Sequence, residues 1–195
     1  MVNLPMTRNE AIKFLGSMNQ QRSDMNHYLE TEAIMKALAI RFGEDVEYWG
    51  MIGLLHDVDW ALTKDNLKEH CIKVIEILKQ KGFDNEFIQT VQSHGYGYDE
   101  IPFLKDKQRK NRIEHALVAS ETLTGIVYAY ALVRSKKISD MSSKGLKKIF
   151  KDKRFAENCN REVVREIEKT GLTVDELFEL SINALKEIKE EIGLD

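Results

Sequence analysis

The chain is poor in the residues that break or staple a fold: of its 195 residues only Pro5 and Pro102 are prolines, and only Cys71 and Cys159 are cysteines. The two cysteines have no CxxC or framework spacing, so they read as reduced thiols rather than as a disulfide scaffold, and neither looks like a nucleophile. No N-terminal stretch is apolar enough for a signal peptide, and no window approaches the roughly 20 apolar residues of a membrane span. The expectation is a cytoplasmic protein without a membrane role. An excess of one charge is also missing. The net charge is -3, so bulk electrostatics names no partner. With 43% apolar and 31% charged residues, the chain is too apolar for disorder and long enough to bury a sizeable core.

Strict alternation over strand length is absent as well, while apolar spacing is helical nearly everywhere. This predicts an all-α fold, a compact helical bundle. A capping box from Thr7 to Glu10 opens the first helix, which sets Ala11, Phe14, Leu15 and Met18 on one face. A second helix is predicted over about 23–41, followed by "FGED", with Gly43 suited to a C-cap and Asp45 to an N-cap. A third is predicted over about 45–57, a fourth over about 65–81, and a fifth from Asp84 to the loop "SHGYGYDEIP". A long helix is predicted over 110–134, and a last one opens at a second capping box, Thr173 to Glu176. One domain is expected over 1–195, with a core over about 20–135 and helices over 140–192 packed on it.

The third predicted helix ends in "GLLHDVDW", which places Asp57 and Asp59 at the negative pole of the macrodipole. Carboxylates there cost about 0.3 to 1 kcal/mol each unless a cation compensates. Imidazole and carboxylate are a usual ligand pair for divalent ions. Adjacent helical side chains diverge by about 100°, so His56 and Asp57 reach one ion together only near a helix end, where the motif lies. The doublet alone occurs often by chance. The five histidines add to it, because His27, His56, His70 and His94 fall in four successive segments, with His115 left as structural. Glu121 lies in a largely apolar helix between Val118 and Leu123, where a carboxylate is costly unless paired or ligating.

Through "NHYLETEAIMKALA", "YWGMIGLLHDVDW", "VQSHGYGY", "ASETLTGIVYAYALVR" and "KKIFKDKRFA" the chain resembles the HD-domain superfamily, all-helical metal-dependent phosphohydrolases, and within it a group of uncharacterised bacterial HD-domain hydrolases. The resemblance implies His27 as the first metal ligand, His56 and Asp57 as the doublet, and His70 and His94 as the added ligands of two-metal members. Glu121 stands where similar proteins read the distal aspartate. Asp59-Trp60 stands where many carry a Gly-Lys pair, so the lysine that would meet a phosphate is missing there.

The resemblance further implies a hydrolase with one or two divalent ions (Mn, Fe, Mg, Zn or Co) that cleaves a small-molecule phosphoester, nucleotides included. Asp57 would bridge the ions, and Asp59 would orient a ligand or accept a proton. Between Arg134 and Arg154 nine Lys or Arg residues face two Asp. Much of that stretch reads as a solvated basic face; Arg134, Lys144, Lys147 and Lys148 are the substrate contacts it offers, and Lys136 belongs to the same stretch. Nucleic acid is not expected as a partner, because no aromatic residues interleave the basic stretch. Two alternatives stay open, a di-iron oxygenase and a non-catalytic metal- or ligand-binding protein that keeps the fold. The oligomeric state is not readable.

Overall fold

The computed structural model describes residues 4–135 and 137–195, and Lys136 lies outside them. Helices account for the regular structure, and there is no strand among the described residues. The all-α expectation holds. In chain order the helices are α1 (Arg8–Ser17), α2 (Arg22–Phe42), α3 (Val46–Leu55), α4 (Trp60–Thr63), α5 (Lys73–Gln80), α6 (Asn85–Gln92), α7 (Arg112–Val133), α8 (Ser143–Lys151), α9 (Arg161–Val164), α10 (Val174–Glu187) and α11 (Lys189–Ile192).

Local chemistry sets several of these boundaries. The Thr7–Glu10 and Thr173–Glu176 capping boxes both form, each satisfying backbone N–H groups that a helix start leaves without partners. Gly43 ends α2 at a left-handed φ of 71°, and Asp45 caps α3 by accepting from the N–H groups of Glu47 and Tyr48.

The core forms where α2 packs against α3, α7 and α10. It is filled by side chains such as Tyr28, Ile34, Met35 and Leu38 from α2, Ile52 and Leu55 from α3, Leu117, Leu123 and Val127 from α7, and Leu177 and Phe178 from α10. Helix α3 lies very close to α2. A Cβ built on Gly53 would sit 2.9 Å from the Thr31 carbonyl oxygen, so only glycine permits this approach. The close contact fixes where α3 ends, and with it the position of the His-Asp doublet.

Helix α7 lies where the long helix over 110–134 was expected, but it departs from the expectation that no window approaches a membrane span. It is 22 residues long and, by length and composition, apolar enough to cross a membrane. In the fold it packs against α2, α3, α6, α8 and α9, and most of that apolar window is buried against its neighbours.

Candidate metal centre

His27 leaves α2 from its second turn, His56 and Asp57 follow the last turn of α3, His70 precedes α5, and His94 lies in the 3-10 turn after α6. The fold brings all five side chains to one place. His27 Nε2 and His56 Nε2 are 3.0 Å apart, and Asp57 Oδ2 lies 3.7 Å from the first and 3.6 Å from the second. On the other side, His70 Nε2 and His94 Nε2 are 3.2 Å apart, and Asp57 Oδ1 lies 3.5 and 3.1 Å from them. One carboxylate therefore faces two histidine pairs, one oxygen to each.

Each ring is aimed through its other nitrogen, the usual way a protein orients imidazole ligands. His56 Nδ1 donates to the Gly53 carbonyl at 2.7 Å and His94 Nδ1 to the Val91 carbonyl at 2.7 Å. His70 Nδ1 donates to Asp59 Oδ1 at 3.1 Å. The Thr124 hydroxyl donates to the Glu121 carbonyl at 2.6 Å, so it must accept from His27 Nδ1 at 2.8 Å. The four Nε2 atoms thus all point inward. At the His27–His56 pair, both Nδ1 hydrogens are spent, and burial holds His56 neutral, lowering it to about 3. Two lone pairs at 3.0 Å repel unless a cation or a proton lies between them. Ligand bonds of about 2.0–2.2 Å at right angles would place donors roughly 3 Å apart. The donor set of nitrogen and carboxylate oxygen fits a divalent ion on each side of Asp57.

Charge is balanced to suit this. Burial raises Asp57, but the hydrogen bond from His94 and the charge on His70 and His94 outweigh it and hold the carboxyl well below its ordinary range. Burial also works against protonating His70 and His94, yet Asp59 lifts His70 to about 10 and Asp57 lifts His94 to about 8. An ion entering there would displace protons.

Asp59 is fully buried, and both its oxygens are used, Oδ1 by His70 and Oδ2 by the backbone N–H of Val74 at 3.2 Å. It therefore positions His70 and does not reach the cleft. Glu121 stays out of both groups. Its Oε1 accepts from the Thr122 hydroxyl at 2.7 Å, burial raises its pKa, and the side chain lines the cleft wall. His115 pairs with Glu166 at 2.6 Å in the fold's interior. Cys71, set aside in the sequence, lies beside His70 and His94, with Sγ 3.3 Å from His94 Nε2. The adjacent pair "HC" was the only signal for it.

A cleft of about 790 Å³ opens over the cluster, with Asp57, His70, His94, Trp60, Tyr98 and Glu121 on its walls and no lysine or arginine among its described lining residues. The basic mouth expected from Arg134, Lys144, Lys147 and Lys148 is not there. Helix α8 packs through Leu146 and Phe150, which turns its lysines outward toward acidic α10. Lys144 and Lys147 line a separate depression with Asp175, Glu176 and Glu179, Lys147 pairs with Asp175, Lys148 is exposed, and Arg134 lies over the Tyr130 ring.

Comparison with known proteins bears on the substrate. Proteins named Ribonuclease Y are similar to this chain: that of Staphylococcus epidermidis is 23% identical over 194 residues, covering 87% of this chain and 37% of its own. That of Sulfurovum sp. is 23% identical over 192 residues, 94% of this chain and 36% of its own, and that of Thermosipho melanesiensis is 34% identical over 95 residues, 47% and 18%. At its longest match the chain spans a little over a third of the length of these relatives. No solved structure matches it. The relatives' name overturns the expectation of a small-molecule substrate without nucleic acid. The small-molecule reading came from the family resemblance, and the exclusion of nucleic acid rested on the absence of an aromatic-interleaved basic surface, a sign that a site binding phosphate through metal ions need not carry. The family model described as HD domain matches residues 25–125, just over half of the chain and the whole span from His27 to Glu121, and the chain belongs to the HD domain family.

Proposed function

We propose that this chain is a metal-dependent phosphodiester hydrolase that cleaves RNA. The observation that carries the reading is Asp57 set between two inward-facing histidine pairs at the floor of a cleft. His27, His56 and Asp57 would hold one divalent ion, and Asp57, His70 and His94 a second. Such ions lower the pKa of water and neutralise phosphoryl charge.

The chain's own residues supply the rest. Thr124, Gly53, Asp59 and Val91 hold the imidazoles in place through Nδ1. Trp60 and Tyr98 offer aromatic faces on the cleft wall, and stacking a base on such a ring contributes about 1–3 kcal/mol. Glu121, half-buried on the same wall and raised by that burial, would hold the proton that a departing ribose oxygen needs. General acid catalysis of this kind contributes about 10²–10⁴-fold. The RNA name of the similar proteins supports the choice of substrate class.

The test uses the whole chain, stripped by chelation and reloaded with Mn²⁺, Zn²⁺ or Fe²⁺, on a labelled single-stranded RNA. Cleavage should require metal and fall to background in Asp57→Asn. Glu121→Gln should keep its metal content and lose about 10²-fold or more in kcat. RNA left intact with every ion would sink the reading, and loss of metal in Glu121→Gln would make Glu121 a ligand instead.

A further inference from the structure

The second histidine pair has a third soft donor beside it. One ligand atom from each of His70, Cys71 and His94 lies within 4.8 Å of the others. Cys71 Sγ is 3.3 Å from His94 Nε2, the same nitrogen that stands 3.2 Å from His70 Nε2 and 3.1 Å from Asp57 Oδ1. For zinc bonds of about 2.3 Å to sulfur and 2.0–2.1 Å to nitrogen, sulfur and nitrogen donors on one ion sit roughly 3.1–3.6 Å apart. The observed separation falls inside that range.

The backbone is bent to bring this about. In a continuous helix the side chains of residues 70 and 71 would diverge by about 100°. Here His70 is extended (φ -62°, ψ 142°) and Cys71 is left-handed at φ 60°, a conformation that costs a non-glycine residue of order 1 kcal/mol or more. The two adjacent side chains therefore converge. Gln92 Nε2 fixes the kink by donating to the Cys71 carbonyl at 2.9 Å. The sulfur also has room only because residue 95 is glycine, since a Cβ there would lie 2.6 Å from Sγ.

We propose that Cys71 is a ligand of the ion held by His70 and His94, making this position a thiolate site that selects Zn²⁺, Co²⁺ or Fe²⁺ over Mg²⁺ and Mn²⁺. Soft thiolate donors favour the former and hard oxygen donors the latter. On binding, the thiol proton passes to solvent and the sulfur coordinates as thiolate. The proposal rests on the reading above that the cluster holds divalent ions.

Cobalt substitution of the full chain tests it. The stripped protein titrated with Co²⁺ should develop a near-ultraviolet sulfur-to-cobalt charge-transfer band. Cys71→Ser should lose that band while still binding cobalt at His27 and His56, and Cys159→Ser should keep it. X-ray absorption at the zinc edge of the unsubstituted protein gives the same answer if Cys71→Ser fails to fold, because a coordinated sulfur is seen directly. Cobalt or zinc bound through nitrogen and oxygen alone, or a band that survives Cys71→Ser, overturns the thiolate ligand and leaves the metal reading standing. A chain that binds neither ion overturns both.

Discussion

Glu30 is a carboxylate that the fold keeps from water without giving it a partner for one oxygen. It is buried on α2, one turn from His27, and its Oε1 has no hydrogen-bond partner among the described residues. Burial raises it to about 8 from an ordinary 4.5. The folded state thus holds a proton that the unfolded chain releases near pH 4.5. Stability from this group is complete below that pH and is lost as pH rises to about 8, with a slope approaching about 1.4 kcal/mol per pH unit. Glu30→Gln should flatten that slope, matching the parent protein at about pH 4 and exceeding it at about pH 8. Denaturant midpoints measured across this range check the point, and an unchanged slope would refute it.

The helices themselves carry different lessons. Gly53→Ala would push a Cβ against the Thr31 carbonyl oxygen and the Glu32 backbone, an overpacked contact that costs about 1–3 kcal/mol. Because the Gly53 carbonyl also aims His56, the substitution should lower metal affinity as well as the unfolding midpoint. Equal metal affinity would mean that α3 can shift without moving the doublet.

Much of the helical order was legible. The capping boxes, the Gly43 stop and the long helix now seen at Arg112–Val133 were all written in local residues. The predicted helix over 65–81 was not, because it divides into a 3-10 turn at Leu67–Glu69 and α5 at Lys73–Gln80. Leu67, Cys71, Val74 and Leu78 keep helical spacing across the break, so no local signal marks it. The demand that His70 and Cys71 converge comes from α6 and the turn after it, which are distant in sequence. The same holds for the site. The order of the histidines was readable, whereas the thiol beside His94, the buried position of Asp59 and the turning of Glu121 onto Thr122 depend on packing.

At the scale of the molecule, the residues gathered around Asp57 come from four separate stretches between His27 and His94, which only the fold holds together. One ion there would tie α2 to the end of α3, and a second, sharing Asp57, would tie the end of α3 to the start of α5 and the end of α6. Binding energy of that kind counts as folding energy. At a free ion concentration about a hundred times Kd, the native state gains about 2.7 kcal/mol, worth roughly 5–10 °C in Tm for a chain of this size. Calorimetry with and without chelator should show that interval, and the Asp57→Asn chain should show none of it. Metal supply would then set how long each molecule survives, as well as whether it can act.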